Sequence, residues 1–258
     1  METEAHVYAL AISASVLLAF YPFVSVMISL CRNGLHWTGA ENAIYLAVND
    51  FFAGKAGKFI VYNIKLPYLI PKFHITTILL LLFTANGIFE PLEVALNRAW
   101  GVTTNRSYLK NQLVSLGLIL ACGALAVLSL MLTALGGQII SGASGFLGGV
   151  ATWLQRLFFK LAAVPVSMLA LFLVYWLLPN RKIEPARVAP VAIVVGLALE
   201  GMKYVNMLFA DMLYEKLDRE YNIFKFSVTI LLWSFVSALI VLAGAHWTAR
   251  RDTEDPLS

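Results

Sequence analysis

Apolar residues in this chain gather into long runs, and the stretches between them hold most of the charge, proline and glycine. A helix needs about 20 predominantly apolar residues to cross a bilayer. Six stretches qualify: about 7–30, 73–89 continuing kinked to 100, 111–135, 161–178, 187–210 and 223–245. They predict an all-α polytopic membrane bundle of about six transmembrane helices, one integral membrane domain over 1–258, with 246–258 as a tail. Pro22 marks a bend in the first span, where Ser25 and Ser29 can satisfy freed backbone groups. Asn86-Gly87 and Glu90-Pro91 mark a kink in the second. The stretch 32–72 is too polar to span and too aromatic for a plain linker. Trp37, Ile44, Tyr45, Val48, Phe51, Phe52, Phe59 and Tyr62 alternate there with Glu41, Asp50, Lys55 and Lys58, which predicts amphipathic helices lying at the interface.

Composition agrees with a membrane protein: of 258 residues 60% are hydrophobic and 13% charged, against about 25% charged in an ordinary soluble domain. The net charge of +4 does not point to nucleic acid, because the basic residues are scattered beside apolar segments, where they set topology. Assigning both termini to one side divides Lys and Arg almost evenly, so charge alone does not orient the chain. The acidic start and the first run of about 24 residues read as a retained helix rather than a signal peptide. Cys31 and Cys122 provide no disulfide framework. Gly137, Ser141, Gly145 and Gly149 recur every four residues, either a face for close helix contact and homo-oligomerisation or a flexible loop.

The candidate chemistry lies in charges that the spans retain. Glu200 and Lys203 fall near the middle of the fifth span at i, i+3, with Pro190 at the expected helix start. A charge at that depth costs several kcal/mol and marks a functional site by default. Gly196, Glu200, Lys203, Met207 and Asp211 form one stripe, expected to face inward. The pair reads as a substrate or proton path, or as a structural ion pair locking the helix to a neighbour. Glu90, Glu93, Asn97, Arg98 and Arg106 form a polar group at the mouth of the second span, suited to an anionic headgroup or to proton transfer, or else to interfacial capping. Arg181, Lys182 and Arg187 read as topology anchors, with contact to anionic lipid as the alternative. His6, His36, His74 and His246 are dispersed without metal-ligand spacing. With no Walker A or nucleophile elbow either, the sequence predicts no metal, no cofactor and no enzyme.

Ala95-Leu96-Asn97-Arg98-Ala99-Trp100 after the second span and Tyr175-Trp176-Leu177-Leu178-Pro179-Asn180-Arg181 after the fourth resemble the YihY / virulence factor BrkB family. Leu231-Leu232-Trp233 with Leu242-Ala243-Gly244-Ala245 is similar to that family's closing helix. The resemblance, which covers about 73–247, implies a bacterial inner-membrane protein of six helices with both termini cytoplasmic. It also implies an association with virulence and with export of lipids or small solutes; an older label for such proteins is ribonuclease BN. Two positions depart from the family: Tyr221-Asn222 stands where Tyr-Gly is common, and His246 where an acid often follows Gly-Ala. The resulting expectation is a transporter or flippase-like exporter of a lipid or small anionic solute. Its path would lie between the second and fifth spans, with Glu200 or Glu90 changing protonation and Lys203 or Arg98 holding the anion. The alternative is an envelope scaffold without transport activity; an intramembrane enzyme is a third, weaker reading. Membrane lipids are the expected partners.

Overall fold

The computed structural model describes residues 2–52, 54–65, 75–102, 106–140 and 164–254, and among them every regular element is helical. The helices are α1 (Glu2–Ser29), α2 (Thr38–Phe51), α3 (Gly54–Lys65), α4 (Ile75–Ala99), α5 (Tyr108–Ile140), α6 (Val164–Leu177), α7 (Pro185–Tyr221) and α8 (Lys225–Glu254). Helices α1, α5, α7 and α8 are long and apolar enough to cross a membrane. The apolar helices α4 and α6 occupy the other two expected positions, so the count of about six is approximate. The glycine spacing beyond Ile140 and the aromatic edge 153–160 lie outside the described residues.

Several ends differ from expectation because helical hydrogen bonding does not stop where hydrophobicity does. Helix α4 continues through Pro91 to Ala99, in line with the expected continuation to 100, but α5 begins at Tyr108 rather than 111 and reaches Ile140. The fifth span starts at Pro185, with Pro190 inside it, so Glu200 lies roughly 22 Å along the axis instead of ten residues from the start. Part of the expected tail is helical as well, since α8 reaches Glu254. The joint between α7 and α8 uses Asn222 at φ 43. Glycine adopts positive φ without a Cβ penalty, so the Tyr221-Asn222 departure puts a less easily accommodated residue at this joint.

Two apolar cores stack along α1. Near the termini Ala9 and Ile12 pack with Leu92 and Leu96 of α4, Tyr175 of α6, Val188 and Val191 of α7, and Leu242 of α8. Toward the other end Val24, Ile28 and Cys31 pack with Ile44 and Val48 of α2, Ile60 and Ile64 of α3, and Ile230 of α8. The amphipathic helices of the first loop thus turn their apolar faces onto the bundle rather than into lipid alone. Helix α1 begins at the end where α8 finishes: Glu4 pairs with Arg98 of α4 beside Leu242 and His246 of α8.

An ion pair fixes the turn from α1 into α2. Glu41 accepts from Arg32, with Nε 3.2 Å from Oε2, and from the Tyr45 hydroxyl at 2.7 Å. The Arg32 bond, outweighing burial, holds the Glu41 carboxyl below its ordinary value, with Tyr45 adding to the effect. Burial, followed by the bond to Glu41, pushes the Tyr45 phenol up. A depressed carboxylate contributes stability that is present above its unfolded value and lost as pH falls through its folded one. Thermal melts in detergent are therefore expected to show Glu41→Gln destabilised at neutral pH, with a smaller further loss below pH of about 4.5 than the wild type.

Candidate functional site

The two family-like motifs, far apart in sequence, meet at the end of the bundle that holds the termini. Near the end of α4, Asn97 is buried, and its Oδ1 accepts the Asn180 backbone N–H at 2.6 Å. Its Nδ2 lies 3.4 Å from Glu93 Oε1. Arg106 donates to the carbonyls of Pro179 at 2.7 Å and Leu177 at 3.3 Å, and so caps α6. Trp176 Nε1 donates to the Ile183 carbonyl at 3.1 Å, and the Arg181 guanidinium lies 5.7 Å from the Trp100 ring centre. The chain must leave α6 and enter α7 within a few residues, and these bonds satisfy backbone groups that the helix ends leave open.

The five polar residues expected at the mouth of the second span therefore divide. Glu93, Asn97 and Arg106 build the joint. Glu90 is exposed, and Arg98 pairs with Glu4 on the outside, lining a small pocket with Tyr8 and His246. Among the three anchors, Arg181 and Lys182 are exposed and Arg187 pairs with Glu184 at 3.2 Å. Glu93 is 5% exposed, and its Oε2 has no hydrogen-bond partner among the described residues. Asn97→Ala is expected to remove the bond to Asn180 and cost about 1 kcal/mol, read as a lower melting temperature, whereas Glu90→Gln should leave it unchanged.

Glu200 and Lys203 do pair, with Nζ 2.6 Å from Oε2, and their side chains are 19% and 42% exposed. They do not face inward. The buried stripe of α7 is Val188, Val191, Ala192, Val195, Gly196, Met202, Asn206 and Leu217, of which only Gly196 belongs to the expected inward stripe, while Ile193, Leu197, Tyr204, Leu208 and Met212 form the exposed one. At 100° per residue the pair falls on the flank between them. Met207 and Asp211, placed inward by the sequence stripe, are exposed. Gly196 lies against Met168 of α6, so the pair sits one turn along from an α6–α7 contact. Among the described residues α4 packs mainly along α1, α8 and α5, and α7 mainly along α8 and α3, while Leu92 and Leu96 of α4 share the first core with Val188 and Val191 of α7.

Three further contacts tie the helices together, two of them through the motif residues Tyr175 and Gly244. The Tyr175 hydroxyl donates to the Val241 carbonyl at 2.7 Å, and Gly244 packs against Tyr175 and Val195. Asn206, the one amide in the apolar part of α7, donates to the Phe51 carbonyl and ties α7 to the α2–α3 corner. A lone amide in an apolar run is visible in sequence; its partner is not. Among the described residues no three His, Cys, Asp or Glu side chains converge.

The chain is 24% identical over 244 residues to a UPF0761 membrane protein of Chromohalobacter salexigens, covering 93% of this chain and 58% of that protein. It is 26% identical over 169 residues to a UPF0761 membrane protein of Pseudoalteromonas translucida, covering 63% and 52%. A putative ribonuclease-like protein of Bacillus subtilis is 24% identical over 175 residues, covering 65% and 62%. The chain thus spans little more than half the length of the first two relatives. No solved structure matches it. The model of the family described as Virulence factor BrkB matches residues 1–256, and the chain belongs to that family of membrane proteins.

Proposed function

We propose that this protein is a flippase-like exporter of the bacterial inner membrane, moving an amphipathic lipid whose anionic headgroup passes along the outer flank of α7. The observation that carries this reading is the position of the Glu200–Lys203 pair. The exposed apolar run of α7 from Ile193 to Met212 is roughly 29 Å long at the helical rise, close to the thickness of a hydrocarbon core, and the pair lies at its middle. A charge pair beside lipid at that depth is costly, and mutual neutralisation is the cheapest resting state. An arriving phosphate would displace Glu200 from Lys203, and the released carboxylate would take a proton, which makes proton coupling part of the reading. With the termini cytoplasmic, the α2–α3 end is periplasmic and movement is outward.

The location on a flank favours a lipid over a small solute, since a solute needs an enclosed polar route whereas a lipid keeps its tails in the bilayer. No hydrolytic step is required, so the ribonuclease-like name of the Bacillus relative is not carried over. A scaffold that hides the pair against a second copy of the chain is the alternative, favoured by the same exposed face. A mass-spectrometric inventory of molecules that co-purify with wild type and with Lys203→Met separates the two. Enrichment of one anionic lipid over bulk membrane, lost in the variant, is the expected result. Bulk lipid alone, unchanged by the substitution, would support the scaffold.

A further inference from the structure

Helix α3 has two unlike faces. Ala56, Gly57, Ile60 and Ile64 are buried, whereas Lys55, Lys58, Phe59, Tyr62 and Lys65 are exposed at helical spacing. We infer that this outer face is a binding surface for anionic phospholipid headgroups at the α2–α3 end of the bundle, independent of whether the protein moves lipid.

Depth is the first argument. Asn206 of α7 bonds the Phe51 carbonyl, and Asp211 lies against Gly54. Both fall within roughly 9 Å of Met212, where the exposed apolar run of α7 ends, so the α2–α3 corner is level with the edge of the hydrocarbon. Tyr62 is 65% exposed, a poor arrangement in water but a favourable one at headgroup depth, where aromatic rings concentrate.

Charge is the second argument. Helix α3 contains no acidic residue. The neighbouring cations are already neutralised, Arg32 by Glu41 and Lys225 by Asp218. Among the described residues the face keeps three lysines, with Asp211 at its Gly54 end and Glu41 near Lys65 as the facing acids. Two of the lysines are steadied by rings: Lys55 Nζ is 5.7 Å from the Tyr214 ring centre and Lys65 Nζ 4.7 Å from that of Tyr45. Cations held in place above a level aromatic face complement phosphate, and a polybasic face at a membrane surface prefers anionic lipid.

Hydrogen exchange tests this with the full protein in nanodiscs of phosphatidylcholine as phosphatidylglycerol is added. The α3 amides of the wild type are expected to gain protection, and added salt should reverse the gain. A lysine near the surface contributes about fivefold in association with anionic lipid. The Lys55→Gln, Lys58→Gln, Lys65→Gln triple variant is therefore expected to need at least about tenfold more phosphatidylglycerol, while the triple Arg variant responds as wild type. Unchanged α8 protection controls for folding. Wild-type protection indifferent to phosphatidylglycerol, or a full response in the Gln variant, overturns the inference. Lys203→Met keeps the α3 response, so lipid movement that persists unchanged in that variant, with the α3 response intact, refutes the transport reading alone.

Discussion

Replacing Gly244 with alanine is expected to lower the stability of the bundle by about 1–3 kcal/mol, in the range for forcing atoms into a filled core. Gly244→Leu is expected to yield little folded protein. A Cβ on Gly244 would lie 2.4 Å from Val195 Cγ2 and 2.6 Å from the Tyr175 hydroxyl. Neither neighbour has an easy escape. Val195 is buried on the inward stripe of α7, and Tyr175, 1% exposed, would have to release the Val241 carbonyl. Between helices in a bilayer the hydrophobic effect contributes little, and closeness of packing decides stability, so loss of the α6–α7–α8 contact is not offset elsewhere. Melting in detergent checks this, with Gly117→Ala as control, because a Cβ there meets nothing within 4 Å. Equal melting temperatures for the two alanine variants would contradict the packing described.

Lys203→Met is expected to abolish lipid movement and to reduce the amount of folded protein, because it leaves the Glu200 carboxylate without its partner at mid-membrane depth, at a cost of several kcal/mol. Glu200→Gln leaves the Lys203 ammonium in the same position. Joining the two substitutions removes both charges, so the double variant is expected to recover the stability of the wild type while remaining inactive. Removal of a whole ion pair is often neutral, whereas removal of one member is destabilising. A double variant as unstable as either single variant would show that each side chain contributes through packing instead.

Much of the architecture was legible in the sequence because the bilayer imposes length on apolar runs. The amphipathic pair α2 and α3 was visible from its mixture of aromatic and charged residues. The inward face of α7 was not. In a soluble protein the polar residues of a helix mark its outside, but in a bilayer the outside is apolar too, and the small difference between Val188, Val195 and Met202 on one face and Ile193, Leu197 and Leu208 on the other carries little signal. Charges placed inward by default thus lay on the flank. The joint of Asn97 with Asn180 was legible only as two motifs, since nothing in either states that a side-chain oxygen of one caps a backbone N–H of the other. The ends of α5 and α8 and the start of α7 lay beyond the expected bounds because helices continue past the hydrocarbon wherever no breaker stops them, whereas the extension of α7 through the acidic stretch 211–220 was expected.

The central claim is movement of an anionic lipid past the Glu200–Lys203 pair, and a transbilayer assay tests it most directly. Fluorescent phosphatidylglycerol and phosphatidylcholine are placed in proteoliposomes of the wild type and of the Glu200→Gln/Lys203→Met double variant, with and without a proton gradient, and leaflet exposure is read by chemical quenching. The expected result is gradient-dependent movement of the anionic lipid in the wild type, at least about tenfold faster than in the folded double variant. Equal rates in the two proteins, or no movement in either beyond that of protein-free vesicles, would contradict it.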